Sequence, residues 1–365
     1  MAPQENPSSA NRDVITPVSV RNVVPYNGDI VVCGLSGRYP ESTNVGELQE
    51  NLFNKVNMVT VDDRRWEPGL FGAPKVMGKL KNDLAEFDAE FFGIHSKSAN
   101  TMDPMLRLML EVSYEAIVDA GESMASMKGT RTGVYIGVSS AEFEVSLMKN
   151  WTENEAYMVQ GCPHSMFPNW VSYFFDLRGP SCAYDTACST SLVCLEAAER
   201  HIRQGLIDNA IVGACNILYR PHSSKVMMTM NFLSHTACKA FDASGDGFVR
   251  SEMVSAILLR KADSAKRIYA TLIASMTNND GFQPNGIMYP NTVAQEELIC
   301  DFYNNVKVDP NEIKYFECHG TGTQAGDPQE TRAICNGLCK RRKDVLPIGS
   351  VKSNLGHGET ASGKD

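Results

Sequence analysis

GPSCAYDTACSTSLVCLEAAERHIRQG, Gly179 to Gly205, is the stretch on which the reading of this chain turns. It passes from a Gly-Pro turn through small and polar residues to Cys188. Ser189, Thr190 and Ser191 follow, then the amphipathic run LVCLEAAERHIRQ, which Gly205 ends. Ser and Thr ahead of an apolar periodic run are helix-start signals, and a Gly just beyond it is a stop signal. Cys188 is therefore expected at an elbow between an extended segment and a helix. Unpaired N–H groups and the positive dipole end favour an anion there, so the thiol is expected to have a lowered pKa and to serve as a nucleophile. The alternative is a buried cysteine that packs as a small hydrophobe.

Outward from that elbow, strands and helices alternate. Asp29 opens IVVCGLSGRYP, a β-like run; Val45 to Val56 reads as helix; FDAEFF at Phe87–Phe92 reads as packed aromatics. Asp103-Pro104 opens the periodic helix MLRLMLEVSYEAIVDAG, with Pro in the first turn and Gly121 at its end. Its Met and Leu stripe reads as core. GVYIGVS (Gly133–Ser139), AIVGACNIL (Ala210–Leu218), Val254–Arg260 and Tyr269–Met276 read as strands, and Met166–Phe175 as helix. The stretch after Leu218 through Phe241 reads as irregular. Thr292–Asn305 and Asp327–Leu338 read as helices, and strands at Ile313–Cys318 and Leu346–Val351 lead to His319 and His357. Several strands are continuously apolar, which argues an α/β fold with sheets covered on both faces.

The chain has 365 residues, 43% hydrophobic and 21% charged, an ordinary balance for a globular enzyme. A net charge of −9 argues against nucleic acid as a partner. Lys340-Arg341-Arg342-Lys343 reads as a solvated helix end. Eleven scattered cysteines without a CxxC pair read as free thiols of a reducing, cytoplasmic compartment. Met1–Gly28 lack a charged start followed by an apolar core, so no secretory signal is expected there, and no apolar run in the sequence approaches the length of a membrane-spanning helix.

Three motif matches fail. Asp242 to Met253 starts like a calcium loop, but Met253 stands where a bidentate Glu is needed. GETASGK at Gly358–Lys364 has phosphate-loop spacing, but Asp365 replaces the Ser or Thr. Gly320-Thr321-Gly322 lacks the dinucleotide spacing. Two of seven histidines do stand out. His319 and His357 each follow a strand and sit among small residues, in HGTGTQAGDP and HGETASG. Strand ends of α/β sheets are where ligands bind.

DTACSTS (Asp185–Ser191), FECHGTGTQAGDPQE (Phe316–Glu330) and VKSNLGHGETASG (Val351–Gly363) resemble the three signatures of β-ketoacyl synthases. The likeness extends through IVVCGLSGRYPES, DDRRW, FFGIHSKSANTMDPMLRLMLE and CKAFDASGDGFVRSE, from Asp29 to the C-terminus. The wording is most similar to the ketosynthase domain of animal type I fatty acid synthases, and related polyketide synthases share much of it. The resemblance implies a thiolase-like α/β fold, two related halves in a five-layered αβαβα arrangement, usually dimeric. Residues 1–28 would be a flexible polar leader, 29–265 the N-terminal half with the nucleophile elbow, and 266–365 the C-terminal half.

The resemblance further implies a decarboxylative condensation. Cys188 would take the acyl chain, and His319 and His357 would hydrogen-bond the enolate formed from a malonyl thioester. Lys352 would support the histidines. Thr321 and Thr323 would contact the pantetheine arm, or else serve only to form the turn. Acyl and malonyl groups would arrive on the phosphopantetheine of an acyl carrier protein, with no cofactor or metal bound by the domain. Gly358 and Thr360 depart from the residues usual after the histidine, and Thr190 replaces a usual serine. The family continues past the position of Asp365, so the second half reads as incomplete. A non-condensing fragment that acts only through dimer or carrier-protein binding is the alternative. A thiolase is disfavoured because no late second cysteine marks one, and a Cys-His hydrolase because nothing marks a hydrolytic water site.

Overall fold

A computed structural model describes residues 28–139, 142–149 and 155–364. All but the last residue of the 1–28 leader lies outside that set. In chain order the strands are β1 (Ile30–Arg38), β2 (Val59–Thr60), β3 (Met77–Gly78), β4 (Thr132–Gly137), β5 (Ser181–Tyr184), β6 (Asn209–Asn216), β7 (Met253–Lys261), β8 (Ala270–Leu272), β9 (Phe316–Glu317) and β10 (Ile348–Gly349). Six of them form one sheet in the order β5-β4-β6-β7-β1-β8. β5, β4 and β6 run parallel, whereas β7, β1 and β8 each pair antiparallel to their neighbours. β9 and β10 form a separate parallel pair, and β2 and β3 an antiparallel one.

Both faces of the large sheet are covered, because side chains alternate along each strand. Val31, Val134, Ile136, Ile211, Val254 and Leu258 point to one face, where the helices Pro104–Asp119 and Met166–Phe175 pack. Ile30, Tyr135, Ala210, Val212 and Leu259 point to the other, against Cys194, Ala197, Ala198 and Ile202 of the helix Thr190–Arg203. The Met and Leu stripe of the first helix is core: Met105, Leu106, Met109 and Leu110 are fully buried. Phe92 of FDAEFF stacks on Phe87 and packs at 4.7 Å on Phe174.

Helix ends follow their stop signals. Gly121 and Gly205 take φ of +75° and +69°, just past the two long helices, where a side chain would be strained. Three strand readings shorten. Tyr269–Met276 reduces to β8 because Leu272 already pairs with Ile30, the first residue of β1, and the ladder has no partner beyond it. Ile313–Cys318 and Leu346–Val351 reduce to β9 and β10. Their ladder starts at Pro347, which accepts from the Phe316 N–H but has none of its own to give. The stretch read as irregular after Leu218 contains a helix, Pro221–Thr229, in which only Ser224 is buried, so no apolar period marks it.

The eleven cysteines are all free thiols. Among the described residues no helix is long and apolar enough to cross a membrane.

The tightest helix–sheet approach is at Gly34 of β1, where an added Cβ would lie 2.1 Å from the Ala116 carbonyl oxygen. Since that neighbour is helix backbone, it cannot swing aside. Gly34→Ala is expected to destabilise the chain by about 1–3 kcal/mol through overpacking, read as a lower urea midpoint. An unchanged midpoint would contradict this packing.

Candidate active site

β5 delivers the elbow. After Tyr184 the chain makes a 3-10 turn, Ala187–Ser189, and only then the helix from Thr190. Ala187 sits at φ +54°, a left-handed conformation that costs a non-glycine residue about 1 kcal/mol or more. Side chains hold the turn in that shape. Asp185 accepts from the Ala187 N–H at 3.1 Å, and Ser189 donates to the Thr186 carbonyl at 2.9 Å. The Thr190 hydroxyl accepts from the Thr186 N–H at 2.8 Å and donates to the Ala187 carbonyl at 2.6 Å. The expected Ser or Thr cap of the helix is thus absent: Ser189 at the cap position makes no cap hydrogen bond. The hydroxyls serve the turn that presents Cys188 instead. The extra methyl of Thr190, the departure from serine, lies over Gly137, where a Cβ would be 2.8 Å away.

The third signature docks on this turn. Ser362 donates to the Cys188 carbonyl at 3.1 Å, and the Gly363 N–H donates to the Ser191 hydroxyl at 3.0 Å. Gly358–Lys364, the phosphate-loop decoy, is mostly the 3-10 turn Glu359–Lys364 that makes these contacts. Its two departures are accommodated. Gly358 passes Met253, whose sulfur would lie 2.5 Å from an added Cβ, and Thr360 donates to the Cys215 carbonyl at the end of β6.

His357 is fixed by backbone on both sides: its N–H donates to Val249 at 2.7 Å and its carbonyl accepts from Ser251 at 2.9 Å. Between them Arg250, itself buried, pairs with Glu359 at 2.6 Å. The buried His357 ring places Nε2 3.0 Å from Cys188 Sγ. Its Nδ1 is buried without a hydrogen-bond partner, and the ring rests edge-to-face on Phe248 at 4.9 Å. Nε2 is therefore the atom through which this ring acts.

His319 arrives from β9. Glu330 accepts the N–H of His319 at 2.6 Å and of Gly320 at 2.8 Å. One turn earlier on the same helix, Gly326–Gly337, buried Asp327 accepts from Phe241 at 2.8 Å, Gly322 at 3.1 Å and Thr323 at 3.2 Å. Two acids three residues apart thus fold the small-residue loop around its histidine. The sequence motif contains both acids, and their spacing at the start of a helix is the signal that points to this role. The same loop rests on the calcium-loop decoy, with Gly322 accepting from the Gly247 N–H at 3.1 Å. Asp242 and Asp246 of that decoy accept from Ser244, Ser234 and Lys239 within the chain.

The rings of His319 and His357 meet edge-to-face at 5.3 Å, and the Cys188 sulfur and a nitrogen of each ring all lie within 4.8 Å of one another. His319 is exposed at the mouth and His357 is buried behind it. Lys352 is buried at the first position of the short helix Lys352–Leu355. Buried Thr321 and half-buried Thr323 face each other at 3.3 Å, and Thr323 also accepts from the Gly326 N–H, so both hydroxyls build the turn. Five of the six residues singled out in the sequence lie on the elbow and the two histidine loops, and Lys352 lies on the short helix that leads into the second loop.

Electrostatics here depart from the helix-dipole expectation. The Cys188 pKa is not lowered but raised to about 11, chiefly by burial and then by the Glu359 carboxylate, with Lys352 opposing. The 3-10 turn sets Cys188 ahead of the first α-helical residue, and removal from water outweighs the dipole. Both imidazoles are held below their ordinary value. His357 lies well below it, through burial, then His319, Lys352 and Arg250; His319 through burial and then Lys352. The accessible edge of His319 tempers its burial, so His357 is the more strongly shifted of the two. At neutral pH the resting site is a thiol facing two neutral imidazoles beside a buried lysine.

Comparison with known proteins agrees along the whole described chain. The family model described as "Beta-ketoacyl synthase, N-terminal domain" matches residues 27–265, and "Beta-ketoacyl synthase, C-terminal domain" matches 269–364. A fatty acid synthase of the goose Anser anser anser is 48% identical, over 92% of this chain and 95% of that sequence. A highly reducing polyketide synthase of Didymella fabae is 38% identical over 92% of this chain, which spans 19% of that relative. The solved ketosynthase from module 6 of the bacillaene synthase of Bacillus subtilis 168 superposes with a TM-score of 0.85 at 36% identity, covering 92% of this chain and 59% of that one.

The raised thiol pKa sets a sign for reactivity. A thiol near 11 keeps its proton until high pH, leaving a thiolate fraction on the order of 10⁻³ at pH 8. Iodoacetamide alkylation of Cys188, followed by peptide mass mapping, is expected to keep rising with pH through 9 and 10. A rate that is flat between pH 7 and 9 would mean a standing thiolate and refute this electrostatic reading.

Proposed function

The chain belongs to the β-ketoacyl synthase family, and from that premise we propose that it elongates acyl chains by decarboxylative condensation. In finer terms it is an acyltransferase of the β-ketoacyl-[acyl-carrier-protein] synthase type. The observation that supports this best is the 3.0 Å contact of His357 Nε2 with Cys188 Sγ, with the His319 ring beside it.

The Cys188 sulfur attacks the carbonyl of an acyl thioester carried on the phosphopantetheine of an acyl carrier protein. Its proton passes to His357 Nε2 as the S–C bond forms, and the departing pantetheine sulfur takes that proton from His357, which returns the ring to its neutral form. Because the free thiol is not ionised, proton transfer and attack go together, which is the work of a general base at hydrogen-bond distance. The acylated cysteine then faces a malonyl thioester. Loss of CO₂ leaves an enolate, whose oxygen needs donors in a water-poor site. The neutral ring of His319, and that of His357 in the tautomer with its proton on Nε2, supply N–H groups there, and burial keeps them neutral, with Lys352 adding to it. The enolate carbon attacks the acyl-cysteine carbonyl, the β-ketoacyl thioester departs on the carrier, and Cys188 regains a proton. Thr321 and Thr323 line the approach of the pantetheine arm in this reading. The acyl carrier protein is the partner.

Incubation with an acyl thioester is expected to add the acyl mass to the Cys188 peptide alone. Cys188→Ala should abolish the label. His319→Ala should leave the label intact, since His357 is the ring on the thiol, while lowering condensation on the order of 10²–10³-fold, the cost of one such donor. Acylation at another cysteine, or hydrolysis without a cysteine adduct, would overturn the assignment.

A further inference from the structure

The three reacting side chains are also three ligands of the kind that soft and borderline cations prefer. One sulfur and two ring nitrogens, all within 4.8 Å of one another, come from three separate segments of the chain. A tetrahedral zinc site needs about 2.3 Å to sulfur and about 2.0–2.1 Å to each nitrogen, so its ligand atoms stand roughly 3.3–3.7 Å apart. The 3.0 Å between Cys188 Sγ and His357 Nε2 has to open by only a few tenths of an ångström toward that range, and His319 has to close in.

The backbone at each ligand is already fixed. Ser362 holds the Cys188 carbonyl, Glu330 holds the His319 N–H, and Val249 and Ser251 hold His357. Only side-chain rotation is left to pay for. The neighbouring charges work against a cation, because Glu359 is matched by Arg250 and Lys352 remains, so the sulfur and the two ring nitrogens must hold the metal by coordination rather than by the surrounding field. His319 is exposed and Cys188 half-buried, so water has access to complete a tetrahedron as fourth ligand.

We propose that Cys188, His319 and His357 form a binding site for a thiophilic divalent cation of the Zn²⁺ class, which caps the nucleophile and arrests acyl transfer. Binding replaces the thiol proton, which goes to solvent, by a sulfur–metal bond, with no change of oxidation state. The metal is an inhibitory ligand here. The arrest rests on the acyl-transfer reading above; the binding rests on the geometry alone.

Cobalt(II) chloride and zinc chloride, added to the full chain free of chelator, are the probes. Cobalt is expected to bind at one equivalent with tetrahedral d–d bands and a sulfur-to-cobalt charge-transfer band, and zinc to bleach both by displacement. Cys188→Ala should lose the charge-transfer band, although ten other cysteines remain. His319→Ala should weaken binding at least about tenfold, the usual minimum cost of removing support at a metal site. Zinc should also protect Cys188 from iodoacetamide, and a chelator should restore its alkylation. Circular dichroism establishes that each variant is folded. Equal cobalt spectra and affinities in the parent chain and both folded variants would overturn the proposal, as would unprotected alkylation at saturating zinc. Because these readouts need no condensation, failure of the metal site and failure of the proposed activity are distinguishable.

Discussion

The contact between His357 Nε2 and Cys188 Sγ joins residues 169 positions apart, and the rest of the site depends on it. Neither residue reaches the other by local structure. Cys188 is carried by β5 and a strained turn at the edge of the large sheet. His357 is carried by a loop that the chain just ahead of β7 holds through the Val249 and Ser251 backbone. β5 and β7 are separated in the sheet by β4 and β6, so the sheet order sets the span that the contact must bridge. Gly137 and Gly213, on two neighbouring strands, keep that sheet close to Thr190 on one side and to Met109 on the other. Small residues in the strands are thus part of what brings sulfur and nitrogen together.

Carboxylates do the equivalent work in the loops. Glu330 and Asp327 accept backbone N–H groups that would otherwise be orphaned in a turn too tight for ladder pairing. Glu359 neutralises Arg250 beneath His357, and Asp185 ties the elbow. Each is two residues to a few turns from Cys188, His319 or His357, and each makes its hydrogen bonds to backbone or to a guanidinium, although the Glu359 charge also reaches the Cys188 sulfur. That division explains how a site can be dry enough to hold imidazoles neutral while its loops remain rich in polar residues: the polar groups are satisfied inward.

Much of this was legible in the sequence, and the exceptions have physical causes. The helix at Pro104 carries both period and punctuation, the one at Met166 shows as an apolar, aromatic run, and the buried strands show as apolar runs. β8 ended early because β1 had run out of pairing residues, a long-range fact that no local window contains. The Pro221–Thr229 helix escaped notice because it buries a serine rather than an apolar stripe. At the site, the nucleophile and both histidines could be singled out from their settings, but the thiol pKa could not. The helix-dipole rule addresses a residue on the first helical turn, whereas Cys188 stands within the 3-10 turn ahead of it, half-buried against residues far off in sequence.

That reversal makes the chemistry more coherent. An ionised cysteine beside a protonated histidine would give acylation a ready nucleophile, but it would leave a charged imidazole in a site whose next step makes an enolate. Proton transfer from imidazolium to that enolate would quench the carbanion before the carbon–carbon bond forms. Rings held neutral by burial and by Lys352 can polarise the enolate oxygen through N–H groups that are far weaker acids than imidazolium. The same burial that raises the thiol therefore protects the second half of the reaction. In the proposed reaction an un-ionised thiol is offset by placing the base in contact with the sulfur, so that the proton need leave only as the bond to carbon forms. In the proposed reaction, burial of Cys188, His319 and His357 thereby meets the opposite demands of a nucleophile and of a carbanion at the same three side chains.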